Sequence, residues 1–200
     1  MPNRKTFQLV TLSCLIATLW GCSTLNPAGL VAASRLDPLN TAPSQIAVAV
    51  GVPSALRLDD GDAEIRMAFR GGTDAAPVFL EEAAPLQLSQ STGNGPVPNA
   101  AGERVYIARI AEEDADAIAQ LQSEIRAYRA SGRRGQGSLT IGLVGGCYEE
   151  ALPGAIKVST WLQTDPDNRF VPLTNRSDVA RSLGEPAAAQ LRAKLRPCDA

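Results

Sequence analysis

Histidine is absent from all 200 residues. Its absence excludes a Ser-His or Cys-His nucleophile pair, an imidazole general base near neutral pH, and any zinc or haem site that uses imidazole. Basic charge is not in excess either. Nineteen Lys and Arg stand against 21 Asp and Glu, a formal net charge of −2, so the electrostatic footprint of a nucleic-acid binder is missing and no nucleic-acid partner is expected. The chain also lacks G-x-S-x-G, S-x-x-K and G-x-x-x-x-G-K-[ST], the short motifs of serine hydrolases, penicillin-recognising enzymes and phosphate-binding loops. Gly135-Gln136-Gly137 precedes an expected strand instead of following one, so it is not a dinucleotide loop. No cofactor and no metal are expected. The remaining balance, 44% hydrophobic and 20% charged, is that of an ordinary globular chain of one or two compact units.

A long apolar run is missing as well. Arg4 and Lys5 are followed by Phe7 to Trp20, uncharged and mostly apolar. This run is about 14 residues, roughly 21 Å as a helix, against a hydrocarbon core of roughly 30 Å. It is too short to span comfortably and has the order of a secretory signal. Leu19-Trp20-Gly21-Cys22 follows at once. The tetrapeptide resembles the lipobox of bacterial lipoproteins: an aliphatic residue at Leu19, a small one at Gly21, and a cysteine to carry the lipid. Trp20 departs from that pattern, because the position is usually small.

The resemblance implies that residues 1–21 are removed as a signal peptide, and that Cys22 becomes a diacylated, N-acylated terminus with palmitate-type chains. More than one chain is what stable anchoring needs. Ser23, in place of Asp, is similar to lipoproteins sent on to the outer membrane. The implied location is the cell envelope, lipid-anchored and facing the periplasm. Losing Arg4 and Lys5 leaves 17 basic against 21 acidic residues, so the lipid and not head-group attraction would hold the protein.

Residues 22–44 are rich in Pro, Ala and Ser, with Pro27, Pro38 and Pro43 disfavouring helix. They read as an extended tether, with packing of Leu30, Val31, Leu36 and Leu39 as an arm the alternative. Residues 45–200 read as one β-rich domain. Ile46, Val48, Val50 and Val52 alternate with small residues, and Ala63, Ile65, Met67 and Phe69 alternate with Glu64, Arg66, Ala68 and Arg70. Asp60-Gly61 between them suits a tight turn, so these two strands are expected to form a hairpin. Turn chemistry also explains Asp59, Asp60 and Asp62, which lack the spacing of a calcium loop. Further strands are expected at 78–80, 86–88, 104–110, 138–144, 156–163 and 170–173, with a long exposed loop over 89–102.

Glu112 to Ser131 is the clearest helix. Ile118, Leu121, Ile125 and Tyr128 form one apolar stripe, acids crowd the first turns, Arg126 and Arg129 the last, and Gly132 suits a left-handed cap. Two short helices are expected at 177–183, capped by Ser177, and at 186–195, divided by Gly184. The fold class is α+β: an antiparallel sheet or sandwich of seven to eight strands, one long amphipathic helix over 112–131, and short C-terminal helices.

Cys14 leaves with the leader and Cys22 takes lipid, so Cys147 and Cys198 are expected to form a disulfide in the oxidising periplasm. Arg133 and Arg134, beyond the helix cap, and Trp161, facing away from Ile156, Val158, Thr160 and Leu162, are the candidate partner-binding residues; the alternatives are a solvated turn for the two arginines and a core position for Trp161 if a second sheet or the long helix covers its face. The expected function is that of a non-catalytic envelope lipoprotein, a binding or structural module that meets the membrane through Cys22 and another envelope protein through its surface. The alternative is a hydrolase that uses carboxylates only, such as a glycan-cleaving enzyme, for which Glu149 and Glu150 are the candidates.

Overall fold

The computed structural model describes residues 36–91, 95–167 and 169–198. The expected leader, the lipobox-like tetrapeptide with Cys22, and the first part of the expected tether lie outside the described residues. In chain order the strands are β1 (Ala47–Pro53), β2 (Leu56–Arg57), β3 (Ala63–Thr73), β4 (Ala76–Gln90), β5 (Glu103–Ile110), β6 (Gly135–Leu143), β7 (Cys147–Tyr148), β8 (Lys157–Gln163), β9 (Val171–Asp178) and β10 (Arg196–Pro197). The helices are α1 (Glu112–Ala130), α2 (Val179–Leu183) and α3 (Glu185–Lys194). Seven strands make one sheet in the order β6-β3-β4-β5-β1-β8-β9, antiparallel throughout. Strands β10, β7 and β2 form a small second sheet. The protein is therefore of the α+β class.

The alternation of β1 explains its central place. Val48, Val50 and Val52 enter the main core, while Ala47, Ala49 and Gly51 lie on the other face, and all but the last residue of the strand are buried. A strand buried on both faces needs a ladder on both edges, and β1 pairs with β5 and β8. The expected hairpin between this strand and Ala63–Phe69 is not formed. After Pro53 the chain turns away through β2, which pairs with β7 in the small sheet, and β3 pairs instead with β4 and β6. Asp60-Gly61 still makes a turn, with Gly61 at φ 83°, but it feeds β3 and not a β1–β3 hairpin. The strands expected at 78–80 and 86–88 are one continuous strand, β4, because β3 pairs with its residues 76–85 and β5 with 86–90.

That division of β4 builds an extension. Residues 76–85 run beyond the end of β5, so β6, β3 and the first part of β4 form a three-stranded ribbon whose inner face needs a cover. Helix α1 starts where β5 ends and lies along this face. Its stripe Leu121, Ile125 and Tyr128 packs on Met67 and Phe69, with Val78, Leu80 and Leu139 at the margin. Ile118 joins the main cluster with Ile65, Ala84 and Leu86. The acids Glu112, Glu113 and Asp114 occupy the first turn, and Gly132 follows at φ 77°.

The other half of the inner face is covered by the C-terminal segment, through Val179, Ala188, Leu191 and Leu195. The sulfurs of Cys147 and Cys198 are bonded, 51 residues apart in sequence, and hold β10 beside β7. Helix α2 is capped by Asp178, whose carboxylate accepts from the N–H groups of Ala180 and Arg181 at 2.9 and 3.3 Å. The expected cap, Ser177, is instead a residue of β9, paired with Val158. From Leu36 on, the expected tether is held to the domain. Leu36 and Leu39 pack on the two core clusters, and Gln122 of α1 donates to the carbonyls of Pro38 and Thr41 at 2.7 and 2.9 Å.

Candidate functional site

Trp161 is not an exposed anchor. It is 5% exposed and packs with Ala49 and Val105, flanked by Ile107 and Phe170, in a small core on the outer face of the sheet. It does fall on the face opposite Val158, Thr160 and Leu162, as its position in the strand requires, but that face is covered at this end. Beside it lies a polar group that sequence pattern had not singled out. Ser159 is fully buried and donates to Glu103 Oε1 at 2.6 Å, while accepting from Asn99 Nδ2 at 3.0 Å and the Arg176 amide at 3.1 Å. Glu103 Oε2 accepts the amide of Asn99. Arg176 reaches its place at φ 48°. Gly51 is required here, since a Cβ would stand 2.6 Å from Glu103 Oε1. Every member of this network is satisfied inside the protein, so it locks β1, β5, β8 and β9 together and leaves no group free to attack a substrate.

A cleft of about 520 Å³ opens at the end of β4 and β5 and is lined by Arg57, Leu58, Asp59, Asp60, Leu88, Gln90 and Tyr106. Its acids are turn residues. Asp60 accepts the amide of Leu88 at 2.6 Å, Asp62 that of Asp59 at 2.8 Å. Its one aromatic, Tyr106, is 2% exposed and accepts the amide of Leu58 at 3.2 Å. Asp59 and Asp60 are exposed. Glu149 lies elsewhere, paired with Arg104 at 3.2 Å, and Glu150 is exposed. Hydrogen bonding to Tyr106, with a smaller share from Glu149, raises the guanidinium pKa of Arg104 above its ordinary value. Two carboxylates facing each other across a cleft, as glycoside hydrolysis needs, do not occur at these candidates.

The ribbon tip is different in kind. Here the ends of β3, α1 and the start of β4 and β6 bring four exposed arginines to one end of the molecule, each set against aromatic rings or a tight turn. The Arg70 guanidinium lies 5.0 Å from the Phe79 centroid, Arg129 5.6 Å from Phe69, and Arg133 4.1 Å from Tyr128. Arg134 follows, exposed, at the turn into β6. Phe79 is itself 54% exposed, and a shallow hollow of about 220 Å³ lies between it, Arg70, Gly71, Pro77 and Val78.

The scaffold beneath is rigid. The Tyr128 hydroxyl accepts the Gly72 amide at 2.6 Å, its ring meets Phe69 edge-on at 5.2 Å, and Gly71 leaves room for it, as a Cβ there would come 2.8 Å from the hydroxyl. Gly135 is held against the Phe69 ring in the same way. Among the described residues Arg70, Arg129, Arg133 and Arg134 form no ion pair with a carboxylate, although Asp74 sits in the same hairpin turn. By contrast Arg66, further down β3, is spent on Glu64 and Glu81, whose hydrogen bonds raise its pKa. Four such guanidiniums, three of them over aromatic faces, can hold a planar or polyvalent anion. Arg133 and Arg134 were visible in the sequence as a basic turn. Arg70, Arg129 and Phe79 were not, because strand register and helix direction bring them there from separate elements.

Among the described residues no helix is long and apolar enough to cross a membrane. Comparison with protein-family models, curated proteins and solved structures finds no match for the chain.

Proposed function

We propose that the chain is a non-catalytic cell-envelope lipoprotein, anchored through Cys22 at the periplasmic side of the outer membrane, which uses the arginine-rich ribbon tip to bind an anionic partner. The observation that carries the binding role is the set of four guanidiniums at one end which, among the described residues, have no carboxylate partner, in a chain of net charge −2. Arginines gathered at one end of the chain, three of them over aromatic rings, are disposed toward an anion outside it. The anchoring role is supported by the lipobox-like Leu19-Trp20-Gly21-Cys22.

Fatty-acid labelling of bacterial cells tests the anchor: label enters the wild-type chain and is lost in Cys22→Ala, and equal label in both removes that part. A photocrosslinking residue at Phe79 tests the tip in the same cells. Adducts should form with the wild-type arginines, weaken several-fold as salt rises, and vanish when Arg70, Arg129, Arg133 and Arg134 are all replaced by Gln. Adducts that ignore both changes exclude an anionic partner at this end.

A further inference from the structure

We propose that β6 is the surface through which two copies of this chain associate, edge to edge and antiparallel, about a two-fold axis through Leu139. The inference rests on the backbone and side chains of one strand and is independent of what the arginine tip binds.

Strand β6 is the outer strand of the seven-stranded sheet and, among the described residues, hydrogen-bonds on one side only, to β3, over its full length of nine residues. Alternate N–H and C=O groups on its other side therefore face outward, a template for a further strand. The opposite edge of the sheet is built to refuse one. Strand β9 carries Pro172, two register shifts against β8, Arg176 at φ 48°, and the charges of Arg176 and Asp178. Such devices are how natural sheets blunt an edge. The half of β4 that runs beyond β5, residues 76–85, carries Pro77, Glu81, Glu82 and Pro85, and the remaining outer strands, β2 and β10, are two residues each. Strand β6 alone among the described strands is both long and unprotected. It reads Gly-Gln-Gly-Ser-Leu-Thr-Ile-Gly-Leu, with no charge, no proline and no register shift against β3.

The side chains match a second copy of the same strand. An axis through Leu139 opposes Leu139 to itself, Ser138 to Thr140, Gly137 to Ile141, Gln136 to Gly142 and Gly135 to Leu143. Ser138 and Thr140 are on the exposed outer face, where paired hydroxyls are favourable cross-strand neighbours. Leu139 and Ile141 are on the α1 side, in register with Met67 and Ile65, yet both remain only half-buried at the open edge. The partner's Leu139 and Ile141 would complete their burial, each Ile141 lying over a glycine. An uncharged strand meets no like charge when opposed to itself, and an isologous contact closes on a dimer without further growth.

The test uses the full chain, processed in the envelope and extracted in detergent. Single cysteines are placed at Gln136, Ser138, Leu139 and Thr140, with Gln120 on the exposed side of α1 as control, and oxidised in intact cells. Disulfide-linked dimer should peak at Leu139→Cys and be absent at Gln120→Cys. Because Leu139 is half-buried, a second variant avoids the core: Ser138→Lys with Thr140→Lys sets lysines opposite lysines across the axis on the exposed face alone. The wild type should sediment at twice the protein mass of one chain, and the double lysine variant at that of one. A single-chain mass for the wild type at every concentration, a flat crosslinking profile, or a dimer that persists in the lysine variant each overturn the proposal. Coverage of β6 by residues ahead of Leu36 would give the first of these results.

Discussion

At the scale of single residues, the outer face of the sheet shows how one buried polar group dictates its neighbours. Glu103 is 8% exposed, and its carboxylate is satisfied by Ser159 and the Asn99 amide. The residue beside it must therefore be Gly51, and the hydroxyl beneath it must stay. Ser159→Ala is expected to cost about 1–3 kcal/mol, the penalty of leaving a buried acceptor without its donor. Urea unfolding with an unchanged slope checks this, and a loss under about 0.5 kcal/mol would show that water or rearrangement replaces the bond. Trp161, two positions on, holds the other half of that face. Trp161→Ala should cost about 3–5 kcal/mol, whereas an exposed binding residue would change stability very little, so thermal unfolding separates the two roles.

At the scale of elements, the end of β9 and the ribbon tip each rest on a particular hydrogen bond. Asp178 caps α2 through two backbone amides, while Ser177 lies in the preceding strand. Asp178→Ala should lower stability by about 0.5–2 kcal/mol, with Ser177→Ala close to neutral. The reverse ranking would restore Ser177 as the cap. Tyr128→Phe removes the acceptor for the Gly72 amide at the tip while keeping the ring under Arg133. A loss of about 0.5–1.5 kcal/mol is expected, together with faster hydrogen exchange at Gly72, since the packing of α1 on Phe69 is left in place. Helix α1 itself was legible in the sequence to within a residue at its end, because a stripe at 3.6-residue spacing, acids at the start and a glycine past the end all agree. The joining of 78–80 and 86–88 into one strand was not legible. Ala83, Ala84 and Pro85 between them weaken the alternation, and what makes the strand continuous is β3 on one edge and β5 on the other.

At the scale of the whole molecule, one covalent bond ties the end of the chain to the centre. Breaking it with Cys147→Ser and Cys198→Ser frees a loop of 51 residues and should cost on the order of 4 kcal/mol by the loop-entropy model. The fall in melting temperature should be matched by the wild type under reducing conditions, and a reduced protein as stable as the oxidised one would mean that the hydrophobic seat of α3 suffices. The arm from Leu36 to Gln45 is packed on the side of α1. Charge is also organised at this scale. The acids of the 57–62 turn and of the start of α1 stand away from the ribbon tip, so a chain of modest negative charge presents a positive end.

By itself the sequence determined the local elements: which stretches alternate with period two, which helix carries a stripe, where glycine must turn the chain, and that Cys198 is the partner expected for Cys147 if residues 1–21 are removed and Cys22 carries lipid. Each of these follows from neighbours a few residues apart or from simple counting. Which strand lies beside which was decided by tertiary structure. Strand β1 had to be central because both its faces are buried, and that requirement overrode the Asp-Gly turn that pointed to a hairpin with β3. The same decision buried Trp161, gathered Arg70, Arg129, Arg133 and Arg134 at one end, and left β6 with an open edge. Side-chain period is a property of one strand, whereas burial on both faces and the company of distant arginines belong to the sheet.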